Sequence, residues 1–587
     1  MELDIIKKIE ELYELLKSPI DQVFKQTAIN SFKRDIKIDD SKMIGEYYYE
    51  SLKENKEKGI VYTPYPISKY IVENTIIEEN VINNPYIKIT DPACGAGNLI
   101  IPCFLHLYNI YIKNLKEVNK KNKLKLNENN LSEHIIKNNL FGFDIDKLAL
   151  KILKIDLFYY SNFFDEKNFL NTDFLFWDAD NKFDIIIGNP PYVGPKSINK
   201  EYSLKLKEAY KNIFKDKSDI SYCFFEKSLN VCKSNGKIGF ITSRYFLESS
   251  SGSELRKTLT ENTHIERIVD FYGVRPFKGI GIDPVIIFMN KKKSLDMEYK
   301  DVEIIKPISD KGRKDDKFYK SLFLNEGLEY SKFLISQKGL EKDRWILKSD
   351  SVKRIIQKIE EKCEVKLSDI CTSHQGIITG CDKAFVVDEI TVKVEKLEND
   401  ILKPWIKGSF IKQNEVNRKK SYLIYSDSIE DEKKYLNCIN HIAFYKQKLS
   451  GRRECVKGVR KWYQLQWGRN KEIFEKEKII FPFKAASNKF SLDSGSYFSA
   501  DVYALILKED MEFNYKYLLY ILNSKLYEFY FKSFAKKLGE DLYEYYPNNL
   551  MKLLIPNINE IEKYDNESLY KYFKLTSEEI NLIEKVI

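Results

Sequence analysis

The sequence predicts an α/β protein with a parallel, doubly wound sheet, followed by a second domain of mixed α+β structure. From about residue 59 to residue 290, short apolar segments alternate with helical patterns, as in chains whose parallel strands are joined by crossover helices. Several of these segments end in acidic residues, glycines or prolines. Such residues line ligand sites at the carboxyl edge of open α/β sheets. The 587-residue chain is also too long for one hydrophobic core, so two or more domains are expected.

The predicted strands are short apolar runs bounded by turn residues. We predict strands at 86–91, 140–145, 183–189, 237–243, 265–271 and 283–290, and a further strand region that leads to 171–177. The polar stretch 112–134 is typical of a solvated insertion or helix edge. The predicted domains are a helical N-terminal segment (1–58), the α/β domain (59–295), a connecting segment with lysine runs (296–350) and the second domain (351–587).

Composition excludes several classes of protein. Charged residues make up 31% and hydrophobic residues 43%, and no apolar run approaches the ~18 residues of a membrane span. The N-terminus, "MELDIIKKIEELYELL", indicates an amphipathic helix rather than a signal peptide. Nine scattered cysteines and five histidines predict reduced thiols, a cytoplasmic location and no metal site. The net charge of +9 is mild for this length and does not by itself indicate nucleic-acid binding.

The stretch "FDIIIGNPPYVG" (183–194) predicts a buried strand that ends on a stiff platform. Pro190 and Pro191 remove two backbone donors and fix two φ angles. They also favour an extended conformation at Asn189. A polar amide followed by an aromatic ring, Tyr192, therefore stands where ligands bind in open α/β sheets. The alternative, a core tyrosine, is disfavoured by the adjacent prolines.

Three other strand ends carry ligand-type residues. "ITDPACGAGNLI" (89–100) joins a strand to a helix through glycines that permit close backbone approach and anion binding, although glycine turns of this kind are common. "LFGFDID" (140–146) ends in Asp144, which could accept hydrogen bonds from a ribose. A solvated strand end or a helix cap is the alternative, and it suits Asp146 better. "NTDFLFW" (171–177) contains an Asp-Phe pair that could hold an adenine or simply begin a loop.

The order of these motifs resembles that of the gamma-class, TaqI-like DNA adenine-N6 methyltransferases, which use S-adenosylmethionine. "GIVYTP" (59–64) comes first, then "DPACGAG", "FDID", "TDF", "NPPY" and "FKGIG" (277–281). Residues 367–385 and 461–469 look like the target-recognition domain of a clostridial adenine methyltransferase. The resemblance implies a Rossmann-like seven-stranded S-adenosylmethionine-dependent methyltransferase domain plus a C-terminal α+β target-recognition domain.

The resemblance also implies roles for individual residues. The expected cofactor-binding residues are Tyr62, Thr63, Pro64, Asp91, Ala93, Gly95, Gly97, Asp144, Ile145, Asp173, Phe174 and Asn189. The expected catalytic residues are Asn189, Pro190, Pro191 and Tyr192, and Tyr192 and Phe277 are expected to stack on the target base. S-adenosyl-L-methionine would be converted to S-adenosyl-L-homocysteine, with no metal.

The expected chemistry explains these residue types. An adenine amine is a poor nucleophile because its lone pair is delocalised into the ring. Two acceptors, the Asn189 side-chain oxygen and the Pro190 carbonyl, would localise that lone pair by electrostatic preorganisation and orientation. A base within a duplex cannot reach such a pocket, so it must be flipped out. Stacking on Tyr192 would then replace lost base stacking, at about 1–3 kcal/mol per base.

Residues 451–470, "GRRECVKGVRKWYQLQWGRN", mix basic and aromatic side chains, as nucleic-acid surfaces do. The expected DNA-binding residues are Arg452, Arg453, Lys457, Arg460, Lys461 and Arg469. The tryptophans are expected in the core. The glycines of "HQGIITGCDKAF" (374–385) suit a close backbone approach.

These observations predict a solitary, site-specific DNA adenine-N6 methyltransferase. We expect it to act as a monomer on double-stranded DNA in a bacterial cytoplasm, associated with the nucleoid; a separately encoded nuclease remains open. The alternatives are an RNA or protein-glutamine N-methyltransferase, which the large basic aromatic module disfavours, and a catalytically inactive DNA-specificity protein, which the intact motifs disfavour.

Overall fold

A computed structural model gives the fold. It describes residues 2–39, 42–51, 62–178, 183–194, 197–215, 217–277, 282–293, 300–308, 316–340, 344–345, 347–509, 511–538, 542–557, 561 and 563–587. Parts of two predicted motifs, 59–61 and 278–281, lie outside the described residues. The chain divides into two compact units, Met1–Ser349 and Asp350–Ile587.

The first unit contains one large sheet and the helices that cover it. Its strands are β1 (Ile89–Asp91), β2 (Leu140–Asp144), β3 (Phe169–Asn171), β4 (Phe183–Gly188), β5 (Cys232–Ser243), β6 (Thr263–Asp270), β7 (Pro284–Lys291), β8 (Asp301–Pro307) and β9 (Tyr330–Ser336). Its helices are α1 (Glu2–Lys17), α2 (Gln22–Asp35), α3 (Ile44–Ser51), α4 (Tyr65–Thr75), α5 (Glu78–Asn83), α6 (Ile100–Asn122), α7 (Glu128–His134), α8 (Lys147–Ser161), α9 (Lys200–Ala209), α10 (Ser221–Val231), α11 (Tyr245–Glu248), α12 (Ser253–Asn262) and α13 (Lys317–Phe323).

The strand order is β3-β2-β1-β4-β5-β7-β6-β8-β9. Strands β3, β2, β1, β4 and β5 run parallel, and β7 is antiparallel to both of its neighbours. Along β4, Ile185 and Ile187 pack into one hydrophobic cluster with α4 and α6, whereas Ile186 packs into another with α10 and α12. Helices therefore cover both faces of the sheet, and the predicted α/β class is confirmed.

The sheet is larger than the sequence pattern indicated. The seven predicted strands are present, but β8 and β9 add an edge within 296–350, where we expected a connecting segment. The two strands pair antiparallel with each other, and β8 pairs parallel with β6. Strand β9 lies at the edge of the sheet and β8 lies next to it, and both carry charged residues among the apolar ones. These charges hid the strand pattern.

Within the first unit, α3 is joined to α8 through a buried carboxylate. Both oxygens of Asp156, on α8, accept hydrogen bonds from the backbone nitrogens of Ile44 and Gly45, at 3.0 and 2.9 Å. Gly45 in turn lies so close to the loop after β1 that an added Cβ would stand 2.8 Å from the Ala96 Cβ. Helix α3 is thereby fixed against that loop.

The second unit is α+β. Its strands are β10 (Val365–Lys366), β11 (Cys371–Gln375), β12 (Val386–Asp388), β13 (Leu402–Ile406), β14 (Ile411–Lys412), β15 (Glu415–Val416), β16 (Ser421–Ile424), β17 (Lys478–Pro482), β18 (Lys484–Ala485), β19 (Ser491–Asp493), β20 (Tyr497–Phe498), β21 (Val502–Leu507), β22 (Tyr543–Glu544) and β23 (Leu554–Ile555). In the described part of this unit they form two four-stranded sheets, β11-β21-β17-β19 and β12-β16-β13-β20, and three two-stranded pairs.

Short helices connect and cover these sheets. They are α14 (Asp350–Lys362), α15 (Leu367–Ile370), α16 (Asp382–Phe385), α17 (Glu389–Val394), α18 (Leu436–Ala443), α19 (Lys446–Ser450), α20 (Arg453–Val456), α21 (Glu472–Glu475), α22 (Tyr515–Asn523), α23 (Lys525–Lys532), α24 (Pro547–Leu550), α25 (Asn566–Tyr572) and α26 (Ser577–Val586). Among all the described residues of the chain, no helix combines the length and apolarity needed to cross a bilayer.

Candidate active site

The parallel strands bring four sequence-predicted site residues to one edge of the sheet. Strands β3, β2, β1 and β4 are neighbours in that order. Asp144 and Asp91 end β2 and β1, Asp173 lies two residues beyond β3, and Asn189 directly follows β4. Because the strands run parallel, these side chains follow one another along the carboxyl edge. The order changes direction at β1, where open α/β sheets form their ligand crevice.

The loop after β1 forms a tight glycine turn. Gly95 and Gly97 have φ angles of +50° and +95°, which L residues with side chains rarely adopt. The Gly95 nitrogen donates to Asp144 Oδ2 over 2.8 Å, and the Ala93 nitrogen donates to Asp91 Oδ1 over 3.0 Å. The turn is therefore fixed by the carboxylates that end β1 and β2.

Burial shifts both carboxylates towards their neutral forms. It raises the pKa of Asp91 to about 8 and that of Asp144 to about 6, although backbone N–H donors partly oppose the shift. Asp146, in contrast, caps α8, accepting hydrogen bonds from the nitrogens of Leu148 and Ala149. Of the two acidic residues in "FDID", Asp146 therefore has a structural role as a helix cap, whereas Asp144 contacts the glycine turn.

Tyrosines from the N-terminal part lie against the same turn. The Tyr49 hydroxyl accepts a hydrogen bond from the Ala96 nitrogen over 3.2 Å, and its ring lies 6.0 Å from that of Tyr62. In the described part of the chain, the buried Tyr62 hydroxyl and the Asn98 Oδ1 have no hydrogen-bond partner. Buried polar atoms are normally paired. A glycine cradle with unpaired polar atoms beside it fits a polar cofactor such as S-adenosylmethionine.

The Asn-Pro-Pro-Tyr turn holds its amide in a defined orientation. Asn189 Nδ2 donates to Thr63 Oγ1 over 2.9 Å, and Asn189 Oδ1 accepts from the Tyr192 hydroxyl. Pro190 is buried and Pro191 half-buried. Tyr192 is 8% exposed, and burial raises the pKa of its hydroxyl well above the usual range. Thr63, predicted to line the cofactor, also contacts the predicted catalytic amide.

The predicted aromatic contacts are the least accessible part of the site. Phe174 is 1% exposed and packs 5.1 Å from Phe143, and Phe277 is 4% exposed within the core. Contact of either ring with a base would require its neighbours to move. Asp173 caps the short 3-10 turn after it and accepts from the Tyr202 hydroxyl over 2.7 Å. Ile145, in contrast, is 77% exposed beside Asp144.

The six basic residues predicted to bind DNA differ in how many hydrogen bonds and ion pairs they form within the second unit. Arg452 donates to the carbonyls of Leu449, Thr379, Trp462 and Gln464, which indicates a structural role. Arg460 and Lys461 form ion pairs with Asp427 and Glu432. Arg469 donates to Gly376 O and Gln375 Oε1. Arg453 and Lys457 are exposed, and among the described residues their side chains have no ion-pair or hydrogen-bond partner.

The two glycines of residues 374–385 pack closely against other parts of the protein. An added Cβ at Gly376 would lie 2.2 Å from Ser499 O, and one at Gly380 would lie 2.9 Å from the Arg452 side chain. The backbones of Ile378 and Trp467 exchange two hydrogen bonds, so this stretch contacts the basic aromatic cluster. Trp467 is 41% exposed, so its expected core position is wrong.

Two family models match the chain. The Eco57I restriction-modification methylase model matches residues 138–277, which include Asp144, Asp173 and the Asn-Pro-Pro-Tyr turn, and the TaqI-like C-terminal specificity domain model matches residues 403–555. Residues 138–277 are thus similar to the Eco57I-type methylases, and residues 403–555 are similar to the TaqI-like specificity domain. The predicted family resemblance is confirmed at this level, as is a methyltransferase of the restriction–modification type.

Relatives that match most of this chain do so at low identity. The type II methyltransferase M.BstVI of Geobacillus stearothermophilus is 24% identical over 548 residues, covering 89% of this chain and 94% of that protein. M.BanIII of Aneurinibacillus aneurinilyticus is 25% identical over 512 residues, covering 78% and 83%. The type IIL restriction-modification enzyme MmeI, solved in complex with DNA, superimposes with a TM-score of 0.56 at 14% identity, covering 88% of this chain and 73% of that one. This last similarity supports the fold.

The sequence motifs did not reveal the contribution of α3. Tyr49 precedes the glycine turn by more than forty residues and belongs to no motif, yet an added Cβ at Gly95 would lie 2.1 Å from its hydroxyl. The only available signal was the tyrosine-rich run "EYYYE" (46–50) ahead of "GIVYTP".

Proposed function

We propose that this chain is an S-adenosylmethionine-dependent DNA methyltransferase that methylates the exocyclic N6 amine of a flipped-out adenine in double-stranded DNA. The observation that carries the proposal is the position of Asn189. Its amide follows β4 at the carboxyl edge of the sheet, beside the strand that ends in Asp91 and leads into the glycine turn. An amine-binding group and a cofactor-type turn are therefore neighbours, in a methylase-type domain joined to a TaqI-like specificity domain.

The residues around the glycine turn would hold the cofactor. Asp144 is the acceptor for the ribose hydroxyls, and the exposed side chain of Ile145 offers an apolar surface beside it. Asp173, with Phe174 behind it, would contact the cofactor adenine. Tyr62, Thr63 and Pro64 would line the methionine end, together with Asp91, Ala93, Gly95 and Gly97. When bound, the cofactor supplies a methyl group activated by a sulfonium.

The protein's own contribution is to prepare the amine. The Asn189 side-chain oxygen accepts one amine hydrogen and the Pro190 carbonyl accepts the other. Two fixed acceptors favour a pyramidal nitrogen, whose lone pair is directed at the methyl group. The consecutive prolines hold both acceptors in place, since two of the φ angles in this turn are fixed.

Entry of the base requires a local exchange of partners. In the free protein the Tyr192 hydroxyl occupies Asn189 Oδ1, the atom that the target amine needs. The Tyr192 hydroxyl therefore gives up this bond as the base enters, and its ring then stacks on the base. Phe277 would supply the second aromatic face once its packing opens. Stacking of about 1–3 kcal/mol per base offsets part of the cost of flipping.

DNA recognition is proposed for the second unit. Its exposed basic residues, above all Arg453 and Lys457, are available for phosphate contacts. We further propose that residues 59–295 form the catalytic domain and 351–587 the recognition domain. The chain would act as a monomer in a bacterial cytoplasm, close to the nucleoid, with any nuclease encoded separately, and its recognition domain would resemble that of a clostridial adenine methyltransferase.

Methylation-sensitive sequencing of DNA from cells with and without the gene tests this function. We expect N6-methyladenine at one short recurring sequence only when the gene is present. Expression of the Asn189→Ala variant at the same level is the matched control and should leave that sequence unmodified. Identical methylation patterns in all three strains would contradict the proposal.

A further inference from the structure

The side-chain amide of Asn189 is held from both ends. Nδ2 donates to Thr63 Oγ1 over 2.9 Å, and Oδ1 accepts from the Tyr192 hydroxyl. Thr63 lies 126 residues earlier in the chain and is 2% exposed. A buried contact between segments so distant in sequence joins the turn before α4 directly to the turn after β4.

The orientation of this amide matters because its two ends are chemically opposite. An asparagine side chain presents an acceptor oxygen at one end and a donor NH₂ at the other, and the two are nearly equal in size. The target amine is itself a donor. Only the orientation that directs Oδ1 at the amine can therefore support transfer, since the reverse would place two donors against each other.

We propose that Thr63 is a positioning residue whose hydroxyl oxygen accepts from Asn189 Nδ2 and so keeps Asn189 Oδ1 directed at the target amine. This inference rests on the proposed amine methylation. It gives Thr63 a role exerted through Asn189, in addition to the expected contact with the methionine end of the cofactor. The role belongs to the hydroxyl, because the methyl group of Thr63 can make no such bond.

The backbone around Thr63 suits this role because it is fixed by the start of a helix. Pro64 is the N-cap of α4, and its carbonyl accepts from the Ile67 nitrogen over 3.0 Å. The Ser68 hydroxyl lies 3.5 Å from the Thr63 carbonyl. An acceptor supported by a regular helix is held more firmly than one on a free loop.

Tyr192 cannot replace Thr63 in this role. Ile241 O also lies 3.4 Å from the Tyr192 hydroxyl and offers it another acceptor. When the target base takes Asn189 Oδ1, the Tyr192 bond is lost, whereas the bond from Asn189 Nδ2 to Thr63 Oγ1 can remain.

The test replaces Thr63 by two residues that separate hydroxyl from shape. Thr63→Val keeps the branched shape and loses the hydroxyl, whereas Thr63→Ser keeps the hydroxyl. Thr75→Val is the matched control. Thr75 is also buried, but its hydroxyl donates to Ile71 O and not to the Asn189 amide. For each variant we would measure single-turnover methylation at saturating DNA and cofactor, and S-adenosylmethionine affinity by calorimetry.

We expect Thr63→Val to slow transfer by about tenfold to a hundredfold, as small misplacements of catalytic groups do. Cofactor affinity should fall much less than the rate, because the other residues that line the cofactor stay in place. Thr63→Ser should recover most of the lost rate, and Thr75→Val should match the wild type. If Thr63→Val does not fold, Thr63→Ala should give the same split between rate and affinity.

Three results would overturn the inference alone: an unchanged rate in Thr63→Val, a loss of cofactor affinity equal to the loss of rate, or a Thr63→Ser variant as slow as Thr63→Val. The wild type measured in parallel separates this inference from the function on which it rests. A folded wild type that transfers no methyl group to an exocyclic amine overturns the proposed function, and this inference with it.

Discussion

The Asp144 carboxylate accepts a hydrogen bond from the Gly95 nitrogen over 2.8 Å, joining the end of β2 to the glycine turn that follows β1. Its other oxygen accepts from the Asp146 nitrogen over 2.7 Å. The carboxylate is thus held in place by the backbone at a position suited to the hydroxyls of a ribose.

Cofactor binding should depend on the charge of Asp144. Burial raises its pKa to about 6 in the free protein, so below that pH the carboxyl is protonated and binding must first release a proton. We expect the part of the S-adenosylmethionine Kd that depends on Asp144 to be nearly flat above pH 6 and to rise by up to about tenfold per pH unit below it.

The Asp144→Asn variant should bind S-adenosylmethionine weakly, and its affinity should no longer fall below pH 6 through protonation of this residue. Asp146→Asn is the matched control, because Asp146 caps α8 and an asparagine keeps the cap. Calorimetric titration from pH 5 to pH 8 would measure both. Wild-type affinity in Asp144→Asn would remove Asp144 from the cofactor site.

Asn189 should matter for chemistry more than for binding. Asn189→Ala removes one preorganised acceptor, and losses of this kind cost about 10²–10³ in rate. DNA and cofactor affinities should change much less, because the remaining contacts stay in place. Single-turnover methylation with saturating DNA decides this, and a rate close to that of the wild type would refute the role given to the amide.

The ring of Tyr192 should matter more than its hydroxyl. Tyr192→Phe keeps the stacking surface and only removes the hydroxyl that occupies Asn189 Oδ1 in the free protein, so transfer should continue. Tyr192→Ala should lose about 1–3 kcal/mol of base stacking, or roughly 5- to 150-fold in the flipped population. Fluorescence of 2-aminopurine at the target position would report flipping. Equal signals from the two variants would exclude stacking on Tyr192.

Arg453 should contribute a phosphate contact. Its side chain is exposed, in contrast to Arg452, whose guanidinium is bonded to carbonyls of its own unit. Arg453→Ala should weaken binding to cognate and scrambled duplexes equally. It should also reduce the slope of log affinity against log salt concentration by about one. Arg354→Ala, on α14, is the exposed control and should change neither. A loss confined to the cognate duplex would instead indicate a base contact.

The sequence predicted the part of the fold that has strong periodicity and the part of the site that has motifs. The parallel strands and their acidic ends were found because apolar runs, turn glycines and prolines mark them directly. Strands β8 and β9, at and next to the edge of the sheet, were missed because charged residues interrupt their apolar pattern. Tyr49 was missed because its contact with the turn depends on the packing of α3 against α8, which no local pattern records.

In the second unit, too, the sequence did not reveal which side chains are exposed. Composition identified a basic aromatic stretch but could not tell Arg452, which holds carbonyls within the fold, from Arg453, which faces solvent. Phe174 and Phe277 have the residue type that stacking needs, yet both rings are covered by neighbours in the free protein. Exposure is decided by tertiary packing, which sequence spacing does not encode.

The central claim is that the amide of Asn189 directs methyl transfer to the N6 amine of adenine in DNA. The most direct test incubates the purified chain with labelled S-adenosylmethionine and duplex DNA, digests the DNA to nucleosides and identifies the labelled product, with Asn189→Ala in parallel. The account predicts N6-methyldeoxyadenosine from the wild type and at least about a hundredfold less from the variant. Label in a methylated cytosine, or in no nucleoside at all, would contradict it.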